Sequence, residues 1–136
     1  MNIWVLMYEH FEDTWVEGVF TEEGKQKKNT ELFKFAQEDY QKEIDKINHN
    51  LEILRKDRAT CSRSIQEISK DIKETEDIEV KKMGELDKKH FLSLEKKFST
   101  EIFRLERELA KYSDERILDT YLDKNNLVWR VHQLNN

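Results

Sequence analysis

The chain has 136 residues, 39% of them charged, with a net charge of −5 and a mean hydropathy of −0.91. That length allows one small domain or one domain with a long helical extension, and the apolar content is too thin for one large globular core. No face collects Lys and Arg alone, which argues against direct nucleic-acid binding. There is no apolar run of membrane-spanning length, no basic leader and only one cysteine, so the expected setting is a reducing cytoplasm with no membrane contact.

In chain order, Ile3 to Tyr8 (IWVLMY) is apolar at every position and rich in β-branched and aromatic residues, the pattern of a central strand covered on both faces. Trp15 to Phe20 reads as a second strand. The polar residues Glu9 to Asp13 between them predict an antiparallel hairpin with a loop of about five residues. Gly18 signals a bulge or a close approach by another backbone.

Thr21 stands at a helix N-cap position, and Glu22 and Glu23 follow where the helix dipole favours acids. Gly24 to Thr30 is the weakest stretch of this helix and the place where a fray or break is expected. Beyond it, Tyr40, Ile44, Ile47, Leu51, Leu54, Arg58, Cys61, Ile65, Ile68 and Ile72 alternate steps of 4 and 3 without a slip. This is the a/d repeat of a two-helix seam. A turn is expected near 74–80, although Glu74 to Glu79 lacks Gly or Pro; Gly84 is the rival pivot.

The returning helix carries Phe91, Leu94, Phe98, Ile102, Leu105, Leu109 and Tyr112, with one doubled step of 4. Beside that seam run Leu92, Phe103 and Ala110. Two readings stand for this second stripe: a homodimer contact, or packing on the flank of the first helix. Asp123 to Asn126 predicts a turn in which Asn125 or Asn126 takes a left-handed backbone. Leu127 to Leu134 is a third strand, with Leu127, Trp129 and Val131 on its buried face and Arg130 and His132 towards water. The predicted fold is α+β, mostly α. Residues 1–20 and 126–136 form a small three-stranded, antiparallel-type sheet, and residues 21–124 form an antiparallel coiled-coil hairpin. Phe33, Phe35, Tyr40, Tyr112, Ile117, Leu118 and Tyr121 are expected to cover the sheet.

No catalytic motif is present, so the expectation is a non-enzyme with no cofactor. The four histidines share no metal-ligand spacing, and the acidic turn around Glu9, His10, Glu12 and Asp13 reads as a solvated loop rather than a metal site. Cys61 falls on the seam as a small buried thiol. Arg58, the one charge in the clean seam, is either a register device paired to an acid or an arginine whose stem crosses the seam while its head reaches water. Two partner-docking candidates emerge: Glu9, His10, Phe11, Glu12, Asp13 and Trp15 in the first hairpin, and Ile78, Val80 and Met83 near the helical turn. An alternative set, Trp15, Arg116, Tyr121, Trp129 and Arg130, has the chemistry to stack on and pair with a small signalling nucleotide.

The opening IWVLMYEH…WVEGVFTEEGK and the closing LVWRVHQLN resemble a class of short phage and prophage accessory proteins. The matching residues are Gly18, Val19, Phe20 and Thr21, then Trp129 and Val131. The helical stretch from Gln26 to Lys124 departs from that pattern, because relatives have a short one. The resemblance implies a small viral accessory protein, a class that includes inhibitors of host defence systems. The leading expectation is therefore a cytoplasmic, homodimeric protein that acts on a host protein by protein–protein interaction. A nucleotide-sequestering oligomer is the alternative, and a structural coiled-coil spacer the third reading.

Overall fold

The computed structural model describes residues 1–134. The fold is α+β and mostly α: strands β1 (Asn2–His10) and β2 (Asp13–Phe20), helices α1 (Glu22–Glu74), α2 (Ile78–Ala110) and α3 (Ile117–Lys124), then strand β3 (Leu127–Gln133). The chain divides into two compact units. One holds Met1–Ile44 with the described residues from Ala110 on, and the other holds Asp45–Leu109.

In the first unit the sheet order is β2-β1-β3, with both pairings antiparallel and β1 central, as expected. Strand alternation puts Trp4, Leu6 and Tyr8 on one side of β1, beside Val131, Trp129 and Leu127 of β3. Helix α1 contacts this side: Trp4 donates to Glu22, and Trp129 Nε1 donates to Asn29 Oδ1 at 3.0 Å. The Lys25 ammonium lies 3.3 Å from the centroid of the Trp4 ring. The other side carries Ile3, Val5 and Met7, with Val16 and Val19 of β2 still 54% and 62% exposed. Only Leu6 of β1 is fully buried. Residues on both sides of β1 are half-buried, while the polar and ring contacts between sheet and helix α1 fall on the Trp4–Trp129 side.

The β1–β2 register shifts between Leu6 and Met7: Leu6 pairs with Gly18 but Met7 pairs with Val16, leaving Glu17 as the extra residue of a bulge. Gly18 sits at the bulge, and a Cβ there would lie 2.6 Å from the Phe20 ring. The strands run on to His10 and Asp13, which pair, so the loop is only Phe11 and Glu12 instead of about five residues. Cross-strand pairing of Glu9 with Thr14 and His10 with Asp13 recruits residues whose polarity had marked them as loop.

Thr21 caps α1, its Oγ1 accepting from the Gly24 amide at 3.2 Å. The helix then continues without a break through Gly24 to Thr30, held by Lys27–Glu23 and Lys28–Glu31 side-chain pairs. Ala36, Tyr40 and Ile117 form the core of this unit, with Phe33, Ile44, Tyr112 and Tyr121 packed around them. Leu32 is buried while Phe35 is 44% exposed; Phe35 is not part of the cover that the sequence suggested. The helix after Ala110 is also not continuous. Arg116 and Ile117 donate to the Ser113 carbonyl, and Thr120 Oγ1 donates to the Lys111 carbonyl at 2.8 Å, closing a turn from which α3 restarts. Asn126 takes φ 58°, the left-handed backbone expected of that turn.

The second unit is an antiparallel pairing of α1 from Asp45 with α2. Leu51, Ile102 and Leu105 are its core, flanked by Ile47, Leu54 and Leu109. Every a/d residue from Tyr40 to Ile72 is buried or half-buried, as the unbroken spacing requires. The turn is Thr75 to Asp77, and it forms without Gly or Pro. Asp77 Oδ1 accepts the Glu79 amide at 2.9 Å, which makes Asp77 the cap of α2. Gly84 lies inside α2 and is no pivot; a Cβ on it would stand 2.8 Å from Ile72 Cγ1. Close helix approach at this point is the reason for the glycine.

Candidate docking surfaces

The β1–β2 tip is built from the bulge outward. Past Glu17, Trp15 pairs with Tyr8, and their rings stack at 4.0 Å and 14°. His10 follows on the same side, 6.3 Å from Tyr8, and meets Phe11 edge-on at 4.3 Å. Phe11 is 94% exposed and holds φ 52°. That backbone region favours Gly or Asn, and a bulky residue there is an outlier. Around this aromatic row stand Glu12 and Asp13, both exposed, and Glu17, which accepts from the Trp15 indole. Glu9 is engaged elsewhere, in a two-oxygen bond with Arg130 at 3.0 Å on the opposite side of the sheet. The structure thus brings together Phe11, Glu12, Asp13, Trp15 and His10, and takes Glu9 out of the group.

A second surface lies on α2. Ile78, Val80 and Met83 are 69%, 47% and 67% exposed, so they do not close the helix pair over its turn. Ile78 belongs instead to an open groove of about 850 Å³ whose apolar lining also includes Leu86 and Leu92. Its polar lining is Lys81, Lys82, Lys88 and Lys89 with the single acid Glu85. Leu86 and these lysines were not singled out from the sequence. The signal was present as Lys-Lys pairs one heptad apart, which repeats a charge on the same helix face. Leu92 and Phe103 are 46% and 61% exposed and Ala110 is also exposed, so the stripe is not covered by the flank of α1. Phe103 is bordered by the Arg107 guanidinium, 5.8 Å from its centroid.

The residues of the nucleotide alternative do not converge within the chain. Trp129 and Arg130 are consecutive in β3 and face opposite sides of the sheet. Tyr121 packs against Tyr40, Trp15 is at the tip, and Arg116 is exposed at the start of α3. Lys25 and Asn29, rather than any of these, sit against the Trp4–Trp129 pair.

In the seam, Arg58 is half-buried and makes no ion pair among the described residues. Glu95 of α2 accepts from Ser62 Oγ at 2.6 Å. That arrangement fits an arginine stem lying across the seam and not a paired register device. Cys61 is buried as a free thiol. Tyr40 is only 2% exposed and its hydroxyl has no hydrogen-bond partner among the described residues. Burial, then the nearby Asp39 and Glu43 carboxylates, push the Tyr40 phenol above its ordinary range.

Among the described residues no cluster of three or more His, Cys, Asp or Glu is placed to hold a metal ion, and no helix is long and apolar enough to cross a membrane. No family model matches the chain, and no curated protein or solved structure is significantly similar to it.

Proposed function

We propose that the chain is a non-enzymatic docking protein that presents the β1–β2 tip to a protein partner. One observation carries the reading: a phenylalanine occupies a left-handed hairpin position and is 94% exposed. The conformation costs a bulky residue about 1–2 kcal/mol. Leaving the ring in water forgoes a further 1.5–3 kcal/mol or so of burial. A glycine would relieve both in the free protein, so the phenylalanine makes sense for the bound one. The stacked Tyr8–Trp15 pair beside it supplies rigid aromatic area of the kind enriched at interface hot spots. Glu12, Asp13 and Glu17 select a partner surface that is basic at its rim.

The resemblance of the chain's two ends to phage accessory proteins supports a host protein as that partner, and inhibition of a host defence system as the outcome. The test is capture from bacterial lysate on immobilised wild type and on Phe11→Gly. A protein held by the wild type, and at least ~30-fold more weakly by the variant, is expected from the loss of a central anchor. If the two resins retain the same proteins equally, the tip is not the docking element.

A further inference from the structure

We infer that the lysine-lined groove on α2 receives the β1–β2 tip of a second copy of this chain; the inference rests on the tip being a docking element. The two surfaces match in charge. Four lysines against one glutamate leave the groove at +3, and Glu12, Asp13 and Glu17 leave the tip at −3 once Glu9 is matched by Arg130.

They match in apolar character as well. Phe11 is the tip's projecting side chain, and the groove presents three aliphatic residues, Ile78, Leu86 and Leu92, between its lysines. A second α2 is a poorer occupant, because a two-fold helix pairing brings lysine-rich flank against lysine-rich flank. A partner protein that takes the tip must then displace it from the groove.

The experiment is sedimentation velocity of the full chain over a range of concentrations at about 0.05 M and about 0.5 M salt. Concentration-dependent association is expected, weakened at least ~10-fold at the higher salt because the matched charges are solvent-exposed. Lys82→Glu/Lys89→Glu, at two exposed positions, should abolish it with the helical circular dichroism unchanged, and so should Glu12→Lys/Asp13→Lys. Combining all four reversals in one chain should restore association to within about threefold of the wild type, since the attraction is only inverted. Association indifferent to these reversals would overturn the inference. So would a wild type that stays monomeric while its groove lysines bind phosphatidylserine vesicles, which would assign the groove to a membrane surface. A monomeric wild type whose Phe11→Gly variant still loses its lysate partner would overturn this inference alone and leave the docking role of the tip standing.

Discussion

Gly84→Ala separates helix propensity from packing. In a solvated helix position the added methyl gains about 1 kcal/mol. Here its Cβ would stand 2.8 Å from Ile72 Cγ1 and 3.2 Å from Ile72 Cδ1. Ile72 is β-branched, so the first of those atoms sits on a side chain with little rotamer freedom in a helix. Forcing one side chain to yield in a packed seam costs about 1–3 kcal/mol. Packing wins, and the net expectation is a loss of about 1 kcal/mol, read as a fall of roughly 3–5 °C in melting temperature. Repeating the change in an Ile72→Ala background removes the obstacle, so the same alanine should now stabilise by about 1 kcal/mol. The double-mutant cycle, followed by urea unfolding, should therefore show a coupling of about 2 kcal/mol. If Gly84→Ala stabilises the wild type outright, Gly84 does not face Ile72 and the register of the α1–α2 pairing in the second unit is wrong.

Tyr40→Phe removes a buried, unpartnered hydroxyl and should raise stability by about 1 kcal/mol at neutral pH; a clear loss would mean the hydroxyl has a partner. The raised folded-state pKa of Tyr40 means that its contribution is intact below the unfolded value of 10.0 and is lost as pH climbs past it. Melting temperature should accordingly fall between about pH 9 and pH 11, less steeply in the variant than in the wild type, with Tyr121 supplying a remainder of the same sign. Arg58→Leu, at a half-buried seam position with no ion pair, should shift the urea midpoint upward by about 1 kcal/mol of stability, and a downward shift would restore the register-device reading. Leu51→Ala, 1% exposed, should cost about 2–5 kcal/mol, while its near neighbour Ile53→Ala, 45% exposed, should stay within about 0.5 kcal/mol; equal losses would contradict the seam.

The helical pairing was legible because burial along a helix repeats with an interval of 3 or 4, and Tyr40 to Ile72 hold that interval throughout. The central place of β1 followed from Ile3 to Tyr8 being apolar at every position. The hairpin loop was not legible. His10 and Asp13 are polar, and nothing local tells a polar residue that pairs across strands from one that loops. The break after Ala110 was equally hidden, since it depends on Thr120 reaching back to the Lys111 carbonyl and not on a Gly or Pro. At the tip, Phe11 was picked out by its company of carboxylates, but its backbone conformation is a property of the two-residue turn. The α2 groove escaped notice because paired lysines on a helix read first as a solvated face, and only the exposure of Leu86 and Leu92 between them makes a surface.

Glu17 touches little, yet it decides which way the aromatic row looks. With this residue counted out of the ladder, Trp15 falls opposite Tyr8. Were it paired within the ladder instead, every side chain from Asp13 to Val16 would slip one place and change sides. Val16 would then lie over Tyr8, and the indole would emerge beside Glu9 and Arg130. Loss of the bulge by pairing Glu17 would in this way turn the tip inside out with its amino acids unchanged, whereas deletion of Glu17 would leave Trp15 opposite Tyr8.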